Sequence, residues 1–271
     1  MKKKYTTILF LLLFSISFLC LRNYIRLFLL KKTPVTKSYV SKYNEFEDGN
    51  FNIKLFKVNR LYNSRSITYL DKLFSDKLLV ISVPLKNLKL KGLVLKPEGN
   101  DKLPDRALFY FNTLFFTSDF SPSTGIIING EQIGNKAPKK TRIGITSDGN
   151  ISVFQSNQNS FYNDILQVPF SFRTNSKVKT NFLTLNFRQF ITIYQNQLIY
   201  ITGYNNSLIS WSDVSALMFK LQLNSLIALD GGASLNYFFR GKNNNYEFSS
   251  VPFRNLWFNM NSPYYLTADL K

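Results

Sequence analysis

An acid, two glycines and a hydroxyl lie close together in the last quarter of the chain, at Asp230, Gly231, Gly232 and Ser234. The preceding segment 226–229 is continuously apolar, which predicts a short strand that is buried on both faces. The glycines can adopt backbone angles denied to other residues, so the carboxylate, several backbone N–H groups and the hydroxyl can share one small space. Such a group of atoms suits acid–base chemistry beside an anion pocket; the alternative is an ordinary tight turn after a strand.

A second polar residue, Asn112, follows another predicted strand at 107–111. Its amide can donate and accept hydrogen bonds, as binding a sugar hydroxyl or phosphate oxygen requires, and it can equally cap the following turn. Asp119 is either a second acid or an Asx-turn residue. Arg142 and Arg188 are rival candidates for an anion contact, because a guanidinium binds phosphate through two parallel hydrogen bonds. For Arg142 the alternative is a solvent-facing side chain at the start of a strand.

Two blocks of the sequence resemble motifs of the phosphodiester glycosidase family. The segment 229–234, Leu-Asp-Gly-Gly-Ala-Ser, resembles the family motif that ends in Asp-Gly-Gly-Gly-Ser-Ser. The segment 111–116, Phe-Asn-Thr-Leu-Phe-Phe, resembles the family's Asn-Gly-Gly-Phe-Phe. The segment 118–130 resembles its continuation, Ser-Pro-x-Gly-hydrophobic-x-Asn/Asp-Gly. The order and spacing of the blocks agree, and the resemblance covers about residues 105–239.

The resemblance implies an envelope-facing hydrolase of a sugar phosphodiester or a related glycan bond. Asp230 would be the acid that activates water or holds a cation, and Asn112 would orient the sugar. The other candidates would bind the substrate, by shaping an anion pocket or by offsetting phosphate charge: Gly231, Gly232, Ser234, Asp119, Arg142 and Arg188. Because the chain has no histidine and one cysteine, a bound cation would have oxygen ligands and would be Ca²⁺ or Mg²⁺; the sequence itself establishes neither.

Departures from the family pattern favour a second hypothesis, a catalytically inactive membrane-anchored relative that binds envelope glycan or protein. Thr113 and Leu114 stand where the family has small residues. The glycines expected before Pro169 are missing, and Ala233 stands in place of a third glycine. A purely structural anchored domain is the third alternative.

Composition limits the chemistry and the partners. The 271 residues are 45% hydrophobic, which is ample for one sizeable core. The absence of histidine removes the commonest general base, and the single Cys20 excludes an intramolecular disulfide and a cysteine–histidine zinc site. Half of the formal charge of +18 lies in residues 1–42 and the rest is spread without long clusters, so we expect no nucleic-acid partner.

The N-terminus has the pattern of a membrane anchor. Three lysines precede an uncharged, mainly apolar run at 5–21, which Arg22 and Arg26 follow. A helix of that length spans about 25 Å, somewhat less than the roughly 30 Å of a bilayer. No small-residue cleavage pattern follows, which favours an uncleaved signal anchor over a cleaved signal peptide. We therefore expect a membrane anchor at 1–32, and the family resemblance implies a body on the extracytoplasmic side, secreted if the signal is cleaved.

The remaining pattern predicts one folded domain. Residues 33–50 are expected to form a linker and 51–271 a single phosphodiester glycosidase-like domain. Short apolar runs predict at least eight strands, whereas 213–223 has clear helical spacing. An Asn-Gly pair at 129–130 and an Asp-Gly pair at 148–149 predict hairpins. These elements predict an α+β fold of strand-rich mixed sheets with few helices.

Overall fold

A computed structural model describes residues 25–94, 106–113, 126–133, 142–154, 162–167, 170–173, 180–205, 207–231, 235–249 and 264–271. Within these ranges the chain is a strand-rich α+β fold with few helices, as the sequence predicts. The expected anchor falls largely outside the described residues. In the described part of the chain, no helix is long and apolar enough to cross a bilayer.

Strands dominate the described chain, and the helices are short. The strands are β1 (Lys37–Asp48), β2 (Phe51–Leu61), β3 (Lys77–Pro84), β4 (Leu88–Val94), β5 (Phe109–Asn112), β6 (Ile126–Ile128), β7 (Glu131–Ile133), β8 (Arg142–Ile145), β9 (Ile151–Phe154), β10 (Asp164–Gln167), β11 (Phe170–Arg173), β12 (Gln189–Tyr194), β13 (Gln197–Gly203), β14 (Ser225–Ala228), β15 (Asn236–Arg240), β16 (Asn245–Ser249) and β17 (Tyr264–Leu270). The helices are α1 (Arg65–Lys72), α2 (Thr180–Leu183) and α3 (Trp211–Leu221), with a π-helical segment at Ile25–Leu30 and a 3-10 turn at Leu85–Asn87.

The strands form three sheets. The large sheet has the order β1-β2-β3-β13-β12-β14-β11, the β5 sheet β16-β15-β5-β17-β4, and the β8 sheet β7-β6-β10-β8-β9. Among the described strands every registered pair is antiparallel, which differs from the expected mixed sheets. Parallel pairs need long crossover connections, usually helices, and the described chain has few helices.

The large sheet separates two hydrophobic cores, because successive side chains of a strand point to opposite faces. On β3, Leu79, Ile81 and Val83 belong to a core shared with the β5 and β8 sheets. Leu78 and Val80 belong to the other core, which α3 covers with several buried apolar side chains. Strands from the middle of the large sheet are therefore buried on both faces.

The expectation of a linker at 33–50 is wrong. Most of this segment is β1, which pairs with β2 from Lys37 opposite Leu61 to Asp48 opposite Phe51. The folded body begins earlier still, since Leu30 is fully buried in a small cluster with Val35 and other apolar residues. β1 is an edge strand with mostly exposed side chains, so it lacks the apolar alternation by which strands are recognised.

Several local predictions are confirmed. The β6–β7 hairpin turns at Asn129 and Gly130, whose φ angles of 51° and 80° suit a type I′ turn. The β8–β9 hairpin includes Gly149 in its connection, also with positive φ. The helix expected at 213–223 is α3, Trp211–Leu221, and Ser210 caps it by accepting a hydrogen bond from the Asp213 backbone N–H.

Candidate functional site

The two motif blocks meet at the ends of β5 and β14. Asn112 Nδ2 donates a hydrogen bond to Asp230 Oδ2 at 3.1 Å, across 118 positions of sequence. The Asp230 backbone N–H donates to the Thr113 carbonyl at 3.0 Å. Asn112 is 0% exposed and Asp230 is 4% exposed. The structure thus brings together the two residues that the sequence nominated as catalytic.

Gln189, which sequence reasoning missed, joins these two residues. Its Nε2 lies 2.7 Å from Asn112 Oδ1 and 2.6 Å from the Asn112 carbonyl oxygen, and it also donates to the Asp230 carbonyl oxygen. Its Oε1 accepts a hydrogen bond from the Tyr200 hydroxyl at 2.8 Å. Gln189 is fully buried, so each of these bonds lies in a low-dielectric interior. We call Asn112, Gln189, Tyr200 and Asp230 the amide–carboxylate cluster.

An aromatic layer holds the cluster in place. The Tyr200 ring lies 5.0 Å from the Phe111 ring and 4.9 Å from the Phe239 ring, measured between centroids. Burial raises the pKa of Tyr200 well above its ordinary value, so its hydroxyl stays protonated and donates at neutral pH. The Asn236 backbone N–H donates to Asn112 Oδ1 at 2.8 Å. The neighbouring strands therefore fix the carboxamide of Asn112.

Gly231 allows the chain to pass close to the segment before β12. A Cβ atom at this position would lie 2.7 Å from the Phe187 carbonyl oxygen, which is too short for a real contact. Gly231 is partly exposed, unlike Asp230 beside it. The sequence-predicted residues Gly232, Ser234 and Asp119 lie outside the described residues.

The sequence pattern predicts a hairpin at 182–200 with Arg188 on its first strand, whereas in the structure Arg188 directly precedes that strand, β12. Its guanidinium lies 4.8 Å from the Phe182 ring centroid, and its Nη2 donates to the Thr184 carbonyl at 3.3 Å. Burial lowers the pKa of Arg188 to about 10, while the nearby Asp213 opposes this shift. These contacts lie near α2 and α3, whereas the next side chain, Gln189, points to the amide–carboxylate cluster.

Arg142 begins β8, which belongs to a different sheet from β5 and β14. It pairs with Phe154 on β9 and Gln167 on β10 and is 3% exposed. The interpretation of Arg142 as a solvent-facing side chain is therefore wrong. Its role as an anion contact stays a prediction.

The described residues do not fit a divalent cation at this site. Among them, no group of three or more acids, histidines or cysteines lies where it could hold a metal ion. Asn112 Oδ1, an oxygen of the kind that Ca²⁺ would need, already accepts hydrogen bonds from Gln189 and Asn236. No step of a reaction is therefore assigned to a cation here.

A second buried polar network, which the sequence analysis also missed, ties two helices to the large sheet. Arg60 on β2 contacts three carboxylates, with Nη1 2.8 Å from Asp76 and 3.1 Å from Asp71, and Nη2 2.9 Å from Asp213. Its Nη2 also donates to the Leu208 carbonyl. A visible signal was an arginine on the same face of β2 as the buried apolar residues Phe56 and Val58. We call this network the Arg60 cluster.

Comparison with known proteins relates this chain to solved structures by fold and not by sequence. No family model matches the chain, and no curated protein matches it significantly. The catalytic domain of zebrafish N-acetylglucosamine-1-phosphodiester alpha-N-acetylglucosaminidase, auto-inhibited by its pro-peptide, is similar in structure. It matches with a TM-score of 0.54 and 11% identity, over 86% of this chain and 88% of that chain.

A second solved structure agrees. This structure is of a Burkholderia pseudomallei protein whose name suggests that it is exported. It matches with a TM-score of 0.52 and 8% identity, over 88% of this chain and 98% of that chain. At such identities the likeness shows the fold alone. This chain therefore has a distant fold relationship to a phosphodiester glycosidase catalytic domain, as the motif resemblance led us to expect.

Proposed function

We propose that this chain hydrolyses a sugar phosphodiester or a related glycan bond. The observation that carries the proposal is the hydrogen bond between Asn112 and Asp230, because it joins the two blocks that resemble the family motifs. The fold shared with a sugar-phosphodiester hydrolase supports the same reaction class. Fold alone does not define function, so the assignment depends on the site.

In this proposal Asp230 is the acid–base group. Its carboxylate accepts from Asn112, its N–H donates to Thr113, and its carbonyl accepts from Gln189. Because main chain and side chain are both held, the carboxyl group can exchange a proton with water or with a leaving oxygen without reorganising first. The partly exposed Gly231 would give the substrate access beside the carboxylate.

The remaining residues would bind the substrate. Gly232, Ser234 and Asp119 are proposed to contact it through backbone N–H and side-chain oxygen atoms. Arg142 would offset the phosphate charge, because it is buried and a charge acts more strongly away from water. Arg188 is the rival candidate, although its guanidinium contacts Phe182 and Thr184 near α2.

The membrane location belongs to the same proposal. The basic residues and apolar run at 5–21 support an anchor, and the exported neighbour supports an extracytoplasmic body that meets a sugar phosphodiester or envelope glycan. We expect the full chain to sediment with membranes and to be degraded by protease added outside intact cells. Protection of the body in intact cells would contradict this location.

Sugar release from a panel of sugar phosphodiesters tests the reaction. The full chain should release sugar, and Asp230→Asn should lower the rate by at least about a hundredfold, the usual contribution of a positioned acid–base group. The matched control is Asp269→Asn, which changes a partly exposed acid on β17 that pairs with Lys91 and should keep the parent rate. Equal rates for parent and Asp230→Asn, with both folded, would remove Asp230 from the chemistry.

A binding protein without turnover is the second candidate, and one observation favours it. The Asn112 carboxamide is fully buried and bonds to Gln189, Asn236 and Asp230. The neighbouring Thr113 is also fully buried, at a position where the family has a small residue. Glycan binding by a folded parent that releases no sugar would make this second candidate the better account.

A further inference from the structure

A cavity of about 340 Å³ lies where four segments of the fold meet. These segments are β1, β3, the loop after β13, and the β15–β16 hairpin. Its volume lies at the lower end of the range for ligand pockets, about 300–1,000 Å³, and suits a ligand the size of a sugar unit. None of the sequence motifs pointed to this region.

The lining of the cavity has the chemistry of a neutral polar ligand site. Tyr204, Tyr237 and Tyr246 supply rings and hydroxyls, while Asn205, Asn244 and Asn245 supply amides. Among the described residues that line the cavity there is no lysine or arginine, although the chain has 34 of them. The lining does include an acid, Glu247, so an anionic ligand would meet a negative charge without a positive one.

A sugar ring carries groups that match this lining. Its C–H face packs on aromatic rings, and its hydroxyls both donate and accept hydrogen bonds. Asparagine amides and tyrosine hydroxyls also offer donors and acceptors together. The aromatic rings of this cavity therefore complement the C–H face of a sugar, and its amides and hydroxyls complement the sugar hydroxyls.

One wall of the cavity is held rigid by Asp48, the last residue of β1. Its carboxylate accepts from the Asn243 N–H at 2.7 Å, from the Asn244 N–H at 3.1 Å, and from the Tyr246 hydroxyl at 2.8 Å. These bonds fix the β15–β16 turn before any ligand arrives. A preformed wall lowers the entropy lost on binding.

The cavity adjoins the amide–carboxylate cluster through one aromatic contact. Tyr237 lines the cavity, and its ring lies 5.4 Å from the ring of Tyr200, whose hydroxyl binds Gln189. Tyr237 also pairs with Phe111, the residue before Asn112. A ligand in the cavity would thus lie against the scaffold of the candidate site.

We propose that this cavity binds one neutral sugar unit of a glycan. The inference goes beyond the proposed hydrolysis, since it concerns binding at a different place and does not require Asp230 to react. If hydrolysis also occurs, the cavity selects substrates that carry an uncharged sugar beyond the reacting bond.

Binding of neutral trisaccharides to the full-chain protein tests the proposal. Trimers of glucose, mannose and N-acetylglucosamine would be titrated by calorimetry and by saturation-transfer NMR. At least one should bind, and Tyr204→Ala should weaken it by about tenfold, as loss of one aromatic contact implies. Asn245→Ala, at an exposed position where folding is little affected, should weaken it several-fold.

Two further variants separate the cavity from the candidate active site. Tyr69→Ala removes an exposed tyrosine on α1 and should bind like the parent. Asp230→Asn should also bind like the parent, whatever its effect on hydrolysis. The proposal is overturned if none of the trimers binds, if both cavity variants bind like the parent, if phosphorylated sugars bind more tightly, or if Asp230→Asn abolishes binding. Binding of a trimer by a parent protein that releases no sugar from any phosphodiester would count against the proposed reaction alone.

Discussion

Replacing Gln189 by methionine should destabilise the folded protein by about 2–6 kcal/mol. Methionine fills a similar volume but removes every side-chain bond of Gln189: one from Tyr200, two to oxygens of Asn112 and one to the Asp230 carbonyl. A lost bond to a buried polar group costs about 1–3 kcal/mol, and the equivalent of two such losses gives the stated range, because Asn112 Oδ1 keeps its bond from Asn236. Tyr200→Phe alone should lower the free energy of unfolding by about 1–3 kcal/mol, because it removes the hydrogen bond that Gln189 Oε1 accepts.

The double variant provides the sharper test. Once Gln189 is methionine, the Tyr200 hydroxyl has lost that acceptor, so adding Tyr200→Phe should cost little more and can recover stability. We therefore expect a coupling free energy of about 1–3 kcal/mol from a double-mutant cycle by urea unfolding. Tyr194→Phe, which removes a hydroxyl at the partly exposed end of β12, is the matched control and should change stability by less than about 0.5 kcal/mol. Additive single effects would refute the proposed arrangement of the cluster.

Two predictions concern the Arg60 cluster. Arg60→Met should lower the free energy of unfolding by at least about 3–5 kcal/mol at pH 7, because it leaves three buried carboxylates without their shared cation. Lys91→Met, at an exposed ion pair, should lower it by less than about 1 kcal/mol. Shifts of the urea midpoint of similar size in the two variants would contradict this role. Burial raises the pKa of Asp71, so its stabilising contribution is complete below its unfolded pKa and is lost as pH rises through the folded pKa. Relative to Asp71→Asn, the parent should therefore be more stable at pH 4 than at pH 7, and a pH-independent difference between the two urea midpoints would argue against it.

The sequence predicted which motif residues would meet but not what joins them. Asp230 and Asn112 each follow an apolar strand, and such strand ends can be recognised locally. Gln189 has no motif, and its partners lie 77, 41 and 11 positions away, so its role depends on how β12 pairs with β13 and β14. The local signal was a glutamine at the head of an apolar run, where a buried polar side chain must find partners.

Strand prediction succeeded where burial is one-sided or complete and failed at the sheet edge. The apolar runs that form β2, β3 and β12 place their apolar side chains in one or both hydrophobic cores. β1 lies at the edge and exposes most of its side chains, so its sequence lacks the apolar pattern that marks a strand. Its pairing partner β2 lies next in sequence, and the Asp48-Gly49 step between them is a turn signal that marks the hairpin.

The two buried networks show why burial of an acid does not by itself indicate a catalytic role. In the Arg60 cluster a guanidinium binds the carboxylates and joins β2, α1 and α3, which is a structural role. At Asp230 the carboxylate accepts a bond from a neutral amide, and a partly exposed glycine follows it. A neutral amide orients a carboxyl group without neutralising it, whereas Arg60 holds its three carboxylates in ion pairs. Under the proposed function it is therefore Asp230, and not an acid of the Arg60 cluster, that would exchange a proton with a substrate.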